Sequence, residues 1–266
     1  MKKFIAIALA AVMSMAVLTG CGGSSKSADT KEATTEAASS ASAAETVEKG
    51  TLTMATNAQF PPYEYYEGSK VVGIDVEIAQ PVADKLRLKL KVEDMEFDSI
   101  ITAVQTGKAD MGLAGMTVTE DRKKMVNFSD TYATAVQSVI VPEDSKIASI
   151  DDLKGKKIGV QLATTVDIYA CDDFGKDHVE EYNKGNDAVM AVKQGKIDAV
   201  IIDDATAKEF VKSTSGLKIL NTSYADEEYA AAINKDNTKL LEDVNGALAE
   251  LKKDGTLDKI VAKYIK

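Results

Sequence analysis

The stretch AVQTGKAD at residues 103–110 returns in altered form as AVKQGKID at residues 191–198. Each copy has the pattern of a helix end, a glycine that stops the helix, and an Asp that opens a strand. We expect these strands at residues 110–114 and 198–202. A repeated α/β unit would explain the match, and so would two independent uses of a common helix–glycine–strand turn.

The surrounding sequence has the same order of elements in both halves. Each half has an earlier apolar strand and helical patterns after it. The predicted strands are residues 51–56 and 157–161, and the predicted helices are residues 73–86, 97–106, 166–170 and 187–194, with closing helices within 237–265. Strands that alternate with helices form parallel sheets with right-handed crossovers. The sequence therefore predicts an α/β protein with two similar lobes.

Composition limits the functions open to this chain of 266 residues. Its net charge of −10 argues against nucleic-acid binding, which needs clustered Lys and Arg. One His and two Cys cannot supply a Cys/His zinc site, and the absence of Trp argues against a stacking surface for long glycans. We therefore expect no metal, no cofactor and no nucleic-acid partner.

The N-terminus has the pattern of a secretory signal. Lys2 and Lys3 precede an apolar run over residues 4–18, which is shorter than the about 20 residues that span a membrane. The run ends in LTGC at residues 18–21, which resembles the bacterial lipobox and implies cleavage before Cys21 and lipid attachment to it. An ordinary signal peptide followed by a chance Cys is the alternative.

Small and polar residues dominate the segment that follows Cys21. Residues 22–49 have almost no bulky side chains, so they cannot bury enough apolar surface to offset the entropy of ordering. We predict a signal peptide at residues 1–20, a lipid-anchored flexible tether at 21–49, and a folded body from about residue 50. The lipid would hold the protein on the outer face of the bacterial cytoplasmic membrane.

Four loops follow the carboxyl ends of the predicted strands, where open parallel sheets bind their ligands. They cover residues 57–63, 115–119, 162–165 and 203–204. Two of these loops come from each half of the body. If the two lobes face each other, all four loops meet at one cleft.

Arg122 and Asp203 would give this cleft opposite charges. An Arg beside loop amides can hold a carboxylate through two parallel hydrogen bonds, and Asp203 can accept hydrogen bonds from an ammonium group. Thr117 and the amide of Thr165 can add donors, and Phe60 offers a flat face. An α-amino acid carries both charges, so the loops predict a ligand of that class.

Each of these side chains has a second interpretation. Arg122 can form a solvated ion pair with its acidic neighbours, and Asp203 can cap the next helix. Phe60 can pack a turn, and Gly115 can serve only the backbone of its loop. Phe97 can supply a second aromatic face to the ligand, or it can belong to the core.

Several motifs connect the body to a known family. They are FPPYEY (60–65), GIDVEIA (73–79), FDSII (97–101), GMTVTEDR (115–122), FSD (128–130), LKGKKIGV (153–160) and KKDGTL (252–257). Together they resemble the extracytoplasmic solute-binding proteins of polar amino-acid ABC transporters. The binders of lysine/arginine/ornithine, of histidine and of glutamine are familiar members. The resemblance covers nearly the whole body.

The resemblance implies a two-lobed α/β fold of the type II periplasmic-binding-protein class, with two parallel-dominated sheets, flanking helices and a two-strand hinge. The first lobe would comprise residues 50–134 and 228–266, and the second lobe residues 135–227. Arg122 would hold the ligand's α-carboxylate, and Asp203 its α-amino group. The other ligand-binding positions that the resemblance implies are Asn57, Phe60, Phe97, Ala114, Gly115, Thr117, Ala163, Thr164 and Thr165.

Departures from the family pattern bear on the ligand. Asn57 stands where binders of basic amino acids often carry an acid, and an amide supplies no countercharge. Asp167 follows the second-lobe loop, where it can restore a charge or cap its helix. We therefore expect a polar, uncharged amino acid, with a basic one as the alternative. Cys171 has only Cys21 as a second thiol, so an internal disulfide is not expected.

The resemblance also implies a mechanism without catalytic residues. A monomer would close over its amino acid, dock on a membrane-embedded ABC permease and release the ligand there. A separate subunit would hydrolyse ATP, since the chain has no GxxxxGK[ST] motif. A dehydratase-like enzyme of the same fold and an amino-acid sensor are the alternatives. The single His, His178, lies in a polar stretch and is a poor candidate for a catalytic acid or base.

Overall fold

Strands and helices alternate through residues 45–265, the part of the chain that the computed structural model describes. The predicted signal peptide, Cys21 and most of the predicted tether lie outside these residues. The strands are β1 (Thr51–Thr56), β2 (Gln59–Phe60), β3 (Glu64–Glu67), β4 (Lys70–Val72), β5 (Lys89–Asp94), β6 (Met111–Gly112), β7 (Asn127–Phe128), β8 (Ala133–Pro142), β9 (Ile158–Gln161), β10 (Val179–Tyr182), β11 (Ala199–Asp203), β12 (Leu217–Ile219), β13 (Ala225–Tyr229) and β14 (Ala232–Ile233). The helices are α1 (Ile74–Lys85), α2 (Phe97–Gln105), α3 (Glu120–Met125), α4 (Thr165–Phe174), α5 (Gly185–Lys193), α6 (Asp204–Ser213), α7 (Thr238–Lys253) and α8 (Thr256–Tyr264), with short 3-10 helices at Ile150–Leu153 and Lys176–His178.

The strands form two larger sheets and one small one. The first sheet has the order β5-β1-β6-β14-β7, and the second has the order β10-β9-β11-β8-β12, with β13 also paired to β8. In both, the strand that opens the unit lies between two parallel partners: β1 between β5 and β6, and β9 between β10 and β11. Strands β2, β3 and β4 form the small antiparallel sheet. The predicted α/β fold class is therefore confirmed.

The repeated sequence forms the same helix end twice. After α2, the Lys108 amide donates to the Ala103 carbonyl at 2.8 Å, and Gly107 adopts a left-handed φ of 68°. After α5, the Lys196 amide donates to the Ala191 carbonyl at 2.9 Å, and Gly195 has a φ of 69°. These six-residue closures are Schellman motifs, which satisfy the free carbonyls of a helix end.

The Asp that ends each copy ties the helix to the neighbouring strand. Asp110 accepts the Thr53 amide on Oδ2 at 2.7 Å and donates its own amide to the Thr53 carbonyl at 2.9 Å. Asp198 does the same with Lys157, at 2.8 and 2.9 Å. Because both copies make the same hydrogen bonds, the repeat is a structural unit used twice.

Antiparallel strands connect the two larger sheets. The chain enters the second sheet along β8 and leaves it along β13, and these strands pair from Ala133–Tyr229 to Gln137–Ala225. Neither strand follows a crossover helix, so the alternating pattern in the sequence did not predict them. The chain passes twice between the sheets at this one place.

Apolar side chains cover both faces of each larger sheet. Helices α1, α7 and α8 pack on one face of the first sheet and α2 on the other, while α4 covers one face of the second sheet and α5 and α6 the other. The C-terminal helices therefore close the first sheet, as the sequence predicts. No helix among residues 45–265 is long and apolar enough to cross a membrane.

The last residues of the predicted tether contact the first sheet. The Val47 amide donates to Asp110 Oδ1 at 2.7 Å, and Asn237 Nδ2 donates to the Glu45 carbonyl at 2.8 Å. The body thus begins a few residues before the expected boundary near residue 50.

Gly73 allows α1 to begin against the carbonyl groups of the FPPYEY segment. The amides of Ile74 and Asp75 donate to the carbonyls of Pro62 and Tyr63, at 3.0 and 2.9 Å. Gly73 has a φ of 125°, and a Cβ atom there would lie 2.3 Å from the Tyr63 carbonyl oxygen.

We predict that Gly73→Ala lowers the free energy of unfolding by about 3 kcal/mol, because it adds a backbone clash to a strained φ. Gly68→Ala is the control, since Gly68 also has a left-handed φ, 63°, but a Cβ there meets nothing within 4 Å. The control should lose about 1 kcal/mol. Urea unfolding measures both, and equal losses would contradict the assigned close approach.

Candidate functional site

A pocket lies at the carboxyl ends of the parallel strands of both larger sheets. The predicted positions that line it are Asn57, Phe60, Phe97, Ala114, Gly115, Thr117, Arg122, Thr164, Thr165 and Asp203. The lining residues that were not predicted are Glu64, Gln137, Gln161, Val166, Ile201, Ile202 and Tyr229. The four predicted loops therefore meet at one pocket.

Arg122 reaches the pocket from the short helix α3. Thr119 caps this helix, and its Oγ1 accepts the Arg122 amide at 3.2 Å. The guanidinium donates from Nη1 to the Thr117 carbonyl at 2.8 Å and from Nη2 to the Ala163 carbonyl at 3.0 Å. These bonds join a loop of the first sheet to a loop of the second.

The Arg122 charge has no carboxylate partner within salt-bridge distance among residues 45–265, although only 7% of the residue is exposed. The neighbouring acids pair elsewhere on α3, Glu120 with Lys123 and Asp121 with Lys124. The interpretation of Arg122 as part of a solvated ion pair is therefore wrong. Burial lowers the pKa of Arg122 from its usual value, and Glu227 opposes that shift.

Asp203 lies at the end of β11 and is 1% exposed. Its Oδ1 accepts the Thr206 amide at 3.0 Å, so Asp203 caps α6. Capping was one of the two interpretations that the sequence allowed. Its Oδ2 accepts the hydroxyls of Tyr229 and Tyr63, at 3.1 and 3.4 Å. Among the described residues no Lys, Arg or His pairs with this carboxylate, and burial raises its pKa to about 6.

Phe60 packs beside the loop that contains Gly115. Its ring stacks on Tyr63 with 5.6 Å between centroids. Gly115 has a φ of 50°, and a Cβ there would lie 3.0 Å from the Phe60 ring. Gly115 is thus required by both its backbone and its contact with the aromatic face.

Phe97 serves the core and the pocket together. It starts α2, packs in the core of the first sheet and is 9% exposed. The Arg122 guanidinium lies over its ring, 5.4 Å from the centroid. Such a cation–π contact helps to hold the guanidinium in a fixed orientation.

Amide groups occupy one wall of the pocket. Asn57 Nδ2 donates to the Met95 carbonyl at 2.8 Å, and Asn57 Oδ1 accepts from Gln161 Nε2 at 3.0 Å. Gln161 Nε2 also donates to the Asn183 carbonyl at 3.1 Å. Asn57 therefore forms a direct bond between the two sheets.

The loop before α4 is held by local hydrogen bonds. Thr164 Oγ1 accepts the Asp167 amide at 3.4 Å, and Asp167 Oδ2 accepts the Ala163 amide at 3.0 Å. Ala163 has a φ of 63° and gives its carbonyl to Arg122 instead of lining the pocket. Thr164 is the N-cap of α4, and Asp167, which does not line the pocket, holds the preceding loop through the Ala163 amide. Thr165 Oγ1 lies 3.5 Å from Thr117 Oγ1.

The unpredicted lining residues have recognisable origins. Gln161 ends β9, immediately before a predicted loop, so its position at a strand end was an available signal. Gln137 and Tyr229 lie on β8 and β13, the antiparallel strands between the sheets, which the strand-end rule does not cover. Glu64 lies in β3, and nothing in its sequence neighbourhood marks it as buried.

The other titratable groups singled out in the sequence lie outside the pocket lining. His178 ends the short 3-10 helix Lys176–His178, which precedes β10. Cys171 is a free thiol whose Sγ lies 3.8 Å from Asp167 Oδ1, with Glu181 nearby. Burial raises the pKa of Cys171, which disfavours the reactive thiolate.

Comparison with known proteins identifies the family of the chain. Residues 52–266 match the model of the family described as bacterial extracellular solute-binding proteins, family 3. The chain belongs to this family. Arginine-binding extracellular protein ArtP of Bacillus subtilis (strain 168) is 35% identical to it over 99% of this chain and 98% of the relative.

Solved structures of similar sequence share the fold of this solute-binding protein. An ancestral arginine-binding protein bound to glutamine is 42% identical, with a TM-score of 0.78 over 82% of this chain and 99% of that one. The same ancestral protein bound to arginine gives a TM-score of 0.77 with equal coverage. The matched family and these relatives are binding proteins.

Proposed function

We propose that this chain binds a free α-amino acid with a polar side chain outside the membrane and delivers it to an ABC permease. The observation that carries the proposal is the pair of buried charges, Arg122 and Asp203, which share one pocket without meeting each other or another charged partner. Buried charges are costly unless they are paired, so this arrangement suits a ligand that brings both opposite charges.

The α-carboxylate would bind at Arg122. Its two carbonyl partners use only two of the five guanidinium N–H donors, so donors remain for a carboxylate. The Thr117 hydroxyl and the Thr165 amide can add hydrogen bonds, since both residues line the pocket, whereas the Thr165 hydroxyl donates to Glu227 Oε1 at 2.8 Å. The flat face of Phe97 keeps the guanidinium in place.

The α-ammonium would bind at Asp203. The hydroxyls of Tyr63 and Tyr229 stabilise this carboxylate only in part, because burial still raises its pKa to about 6. A ligand ammonium would favour the ionised form. The loop backbone at Ala114 and Gly115 faces the same pocket.

The amide wall favours a polar, uncharged ligand side chain. Neither Asn57 nor Gln161 supplies a countercharge, and they hydrogen-bond to each other. A basic side chain is the alternative, supported by the relatives named for arginine. Arginine and glutamine are therefore the first ligands to compare.

Ligand binding would be coupled to hinge closure. The lobes proposed are residues 50–134 with 228–266, and residues 135–227, with the hinge at the paired strands β8 and β13. The bonds from Arg122 to Ala163 and from Gln161 to Asn57 would form on closure and exclude water. The closed form would be the one that docks on the permease, with a separate subunit hydrolysing ATP.

The protein would act as a lipid-anchored monomer on the outer face of the cytoplasmic membrane. Cys21 would carry the lipid and residues 22–44 would link it to the body, which begins at the contacts of Glu45 and Val47.

A thermal-shift screen of the twenty amino acids tests the proposed function. A ligand at 100 times its dissociation constant stabilises the native state by about 2.7 kcal/mol. For a folded domain of this size, about 1 kcal/mol of added stability raises the melting temperature by about 2–4 °C. Arginine or glutamine should therefore raise the melting temperature by about 5–10 °C. Unchanged melting with all twenty would refute amino-acid binding.

Substitutions at the two charges test the site. Arg122→Ala and Asp203→Ala should each weaken binding by roughly 2–5 kcal/mol, since each leaves a ligand charge buried and unpaired. Isothermal titration calorimetry with the best ligand of the screen measures the change. Lys123→Ala is the matched control, because Lys123 is exposed on the same helix as Arg122. Unchanged affinity in both charge variants would place the site elsewhere.

A further inference from the structure

Two buried carboxyl groups, Glu64 of the pocket lining and Asp75 behind the Gly115 loop, are not used by the binding scheme. Both residues are 0% exposed. Asp75 Oδ2 accepts the Gly115 amide at 2.8 Å and the Tyr132 hydroxyl at 2.9 Å. Asp75 Oδ1 and both carboxyl oxygens of Glu64 have no donor among the residues that the structure describes.

The surroundings of this pair are acidic or neutral. Glu64 faces the carboxyls of Asp94 and Asp203 besides that of Asp75, and the hydroxyls of Tyr63 and Tyr132 lie nearby. Within residues 45–265 no Lys, Arg or His forms a salt bridge with either carboxyl. Two ionised carboxylates here would be buried like charges without compensation, which proteins avoid.

A single proton resolves the arrangement. The Asp75 amide donates to the carbonyl of Tyr63, the residue before Glu64, at 2.9 Å, so the two residues are neighbours. A hydrogen bond between their carboxyls requires that one of them is protonated. Burial, followed by the charge of Asp75, raises the pKa of Glu64 well above its usual value. The pKa of Asp75 is raised only to about 6, because its donors oppose the effect of burial. Glu64 is therefore the partner that keeps the proton.

We propose that Glu64 and Asp75 share one proton in the native protein, with neutral Glu64 donating to Asp75 Oδ1. Asp75 then accepts three hydrogen bonds, from Glu64, Gly115 and Tyr132. The Gly115 bond holds the loop on which the amino end of the ligand would rest. In that last respect alone the inference depends on the proposed function, and Asp75 is a positioning residue for the loop.

The proton has a measurable consequence for ligand-free folding. An unfolded Glu has a pKa of about 4.3, so above about pH 5 the native chain holds one proton that the unfolded chain releases. Stability from this pair is therefore lost as the pH rises towards the native pKa of Glu64. The unfolding equilibrium constant rises tenfold per pH unit from this one proton.

The test compares urea unfolding of the full chain without ligand between pH 5 and pH 8, in the unmodified protein and in E64Q. A Gln amide donates to Asp75 at every pH, so E64Q should fold. In E64Q the pH dependence of the unfolding equilibrium constant should be weaker than in the unmodified protein by the contribution of one proton, a tenfold factor per pH unit. E67Q is the matched control, because Glu67 is an exposed carboxyl on the same strand, β3. Its slope should equal that of the unmodified chain.

An E64Q slope equal to that of E67Q would overturn the proposal. If E64Q does not fold, infrared spectroscopy of the unmodified chain decides the matter. The C=O stretch of a protonated carboxyl should persist at pH 7, and its absence would overturn the shared proton. Both measurements are made without an amino acid, so their outcome is independent of the ligand screen.

Discussion

The rest of the structure depends on keeping two opposite buried charges apart inside one pocket. Arg122 is held by carbonyl groups and an aromatic face, and Asp203 by hydroxyls and a helix N-terminus. These neutral partners hold each charged side chain in a fixed orientation without neutralising its charge. A direct Arg–Asp pair would be more favourable for folding alone, but it would leave no place for a zwitterion.

The duplicated unit explains why the charges can face each other. In each half, a Schellman helix end and an Asp clamp set the register between a helix and the first parallel strand. Each half therefore presents a loop edge of the same construction, and the β8–β13 pair joins the two. The charges lie on opposite edges: Arg122 follows the loop of the first sheet, and Asp203 ends β11 of the second.

The sequence was most informative where local rules apply. Glycine stops and strand ends located α1, α2, α4, α5 and the C-terminal helices, and four of the six parallel strands, with β5 and β10 missed. The loops at the strand ends and the family resemblance together supplied the ten pocket-lining positions. Long-range packing determined what local rules could not reach. The crossing strands carry Gln137 and Tyr229, and the burial of Glu64 arises from α1 packing on the FPPYEY segment at Gly73. Asp167 could not be assigned from sequence, because the choice between a cap and a pocket charge depends on side-chain direction.

The most direct measurement of the central claim uses the ligand's own charges. Calorimetry would compare the amino acid of highest affinity with two analogues of the same side chain, one without the α-carboxylate and one without the α-amino group. If Arg122 and Asp203 each await one charge of a zwitterion, both analogues bind more weakly by roughly 2–5 kcal/mol. An analogue that binds as tightly as the parent amino acid would contradict the account.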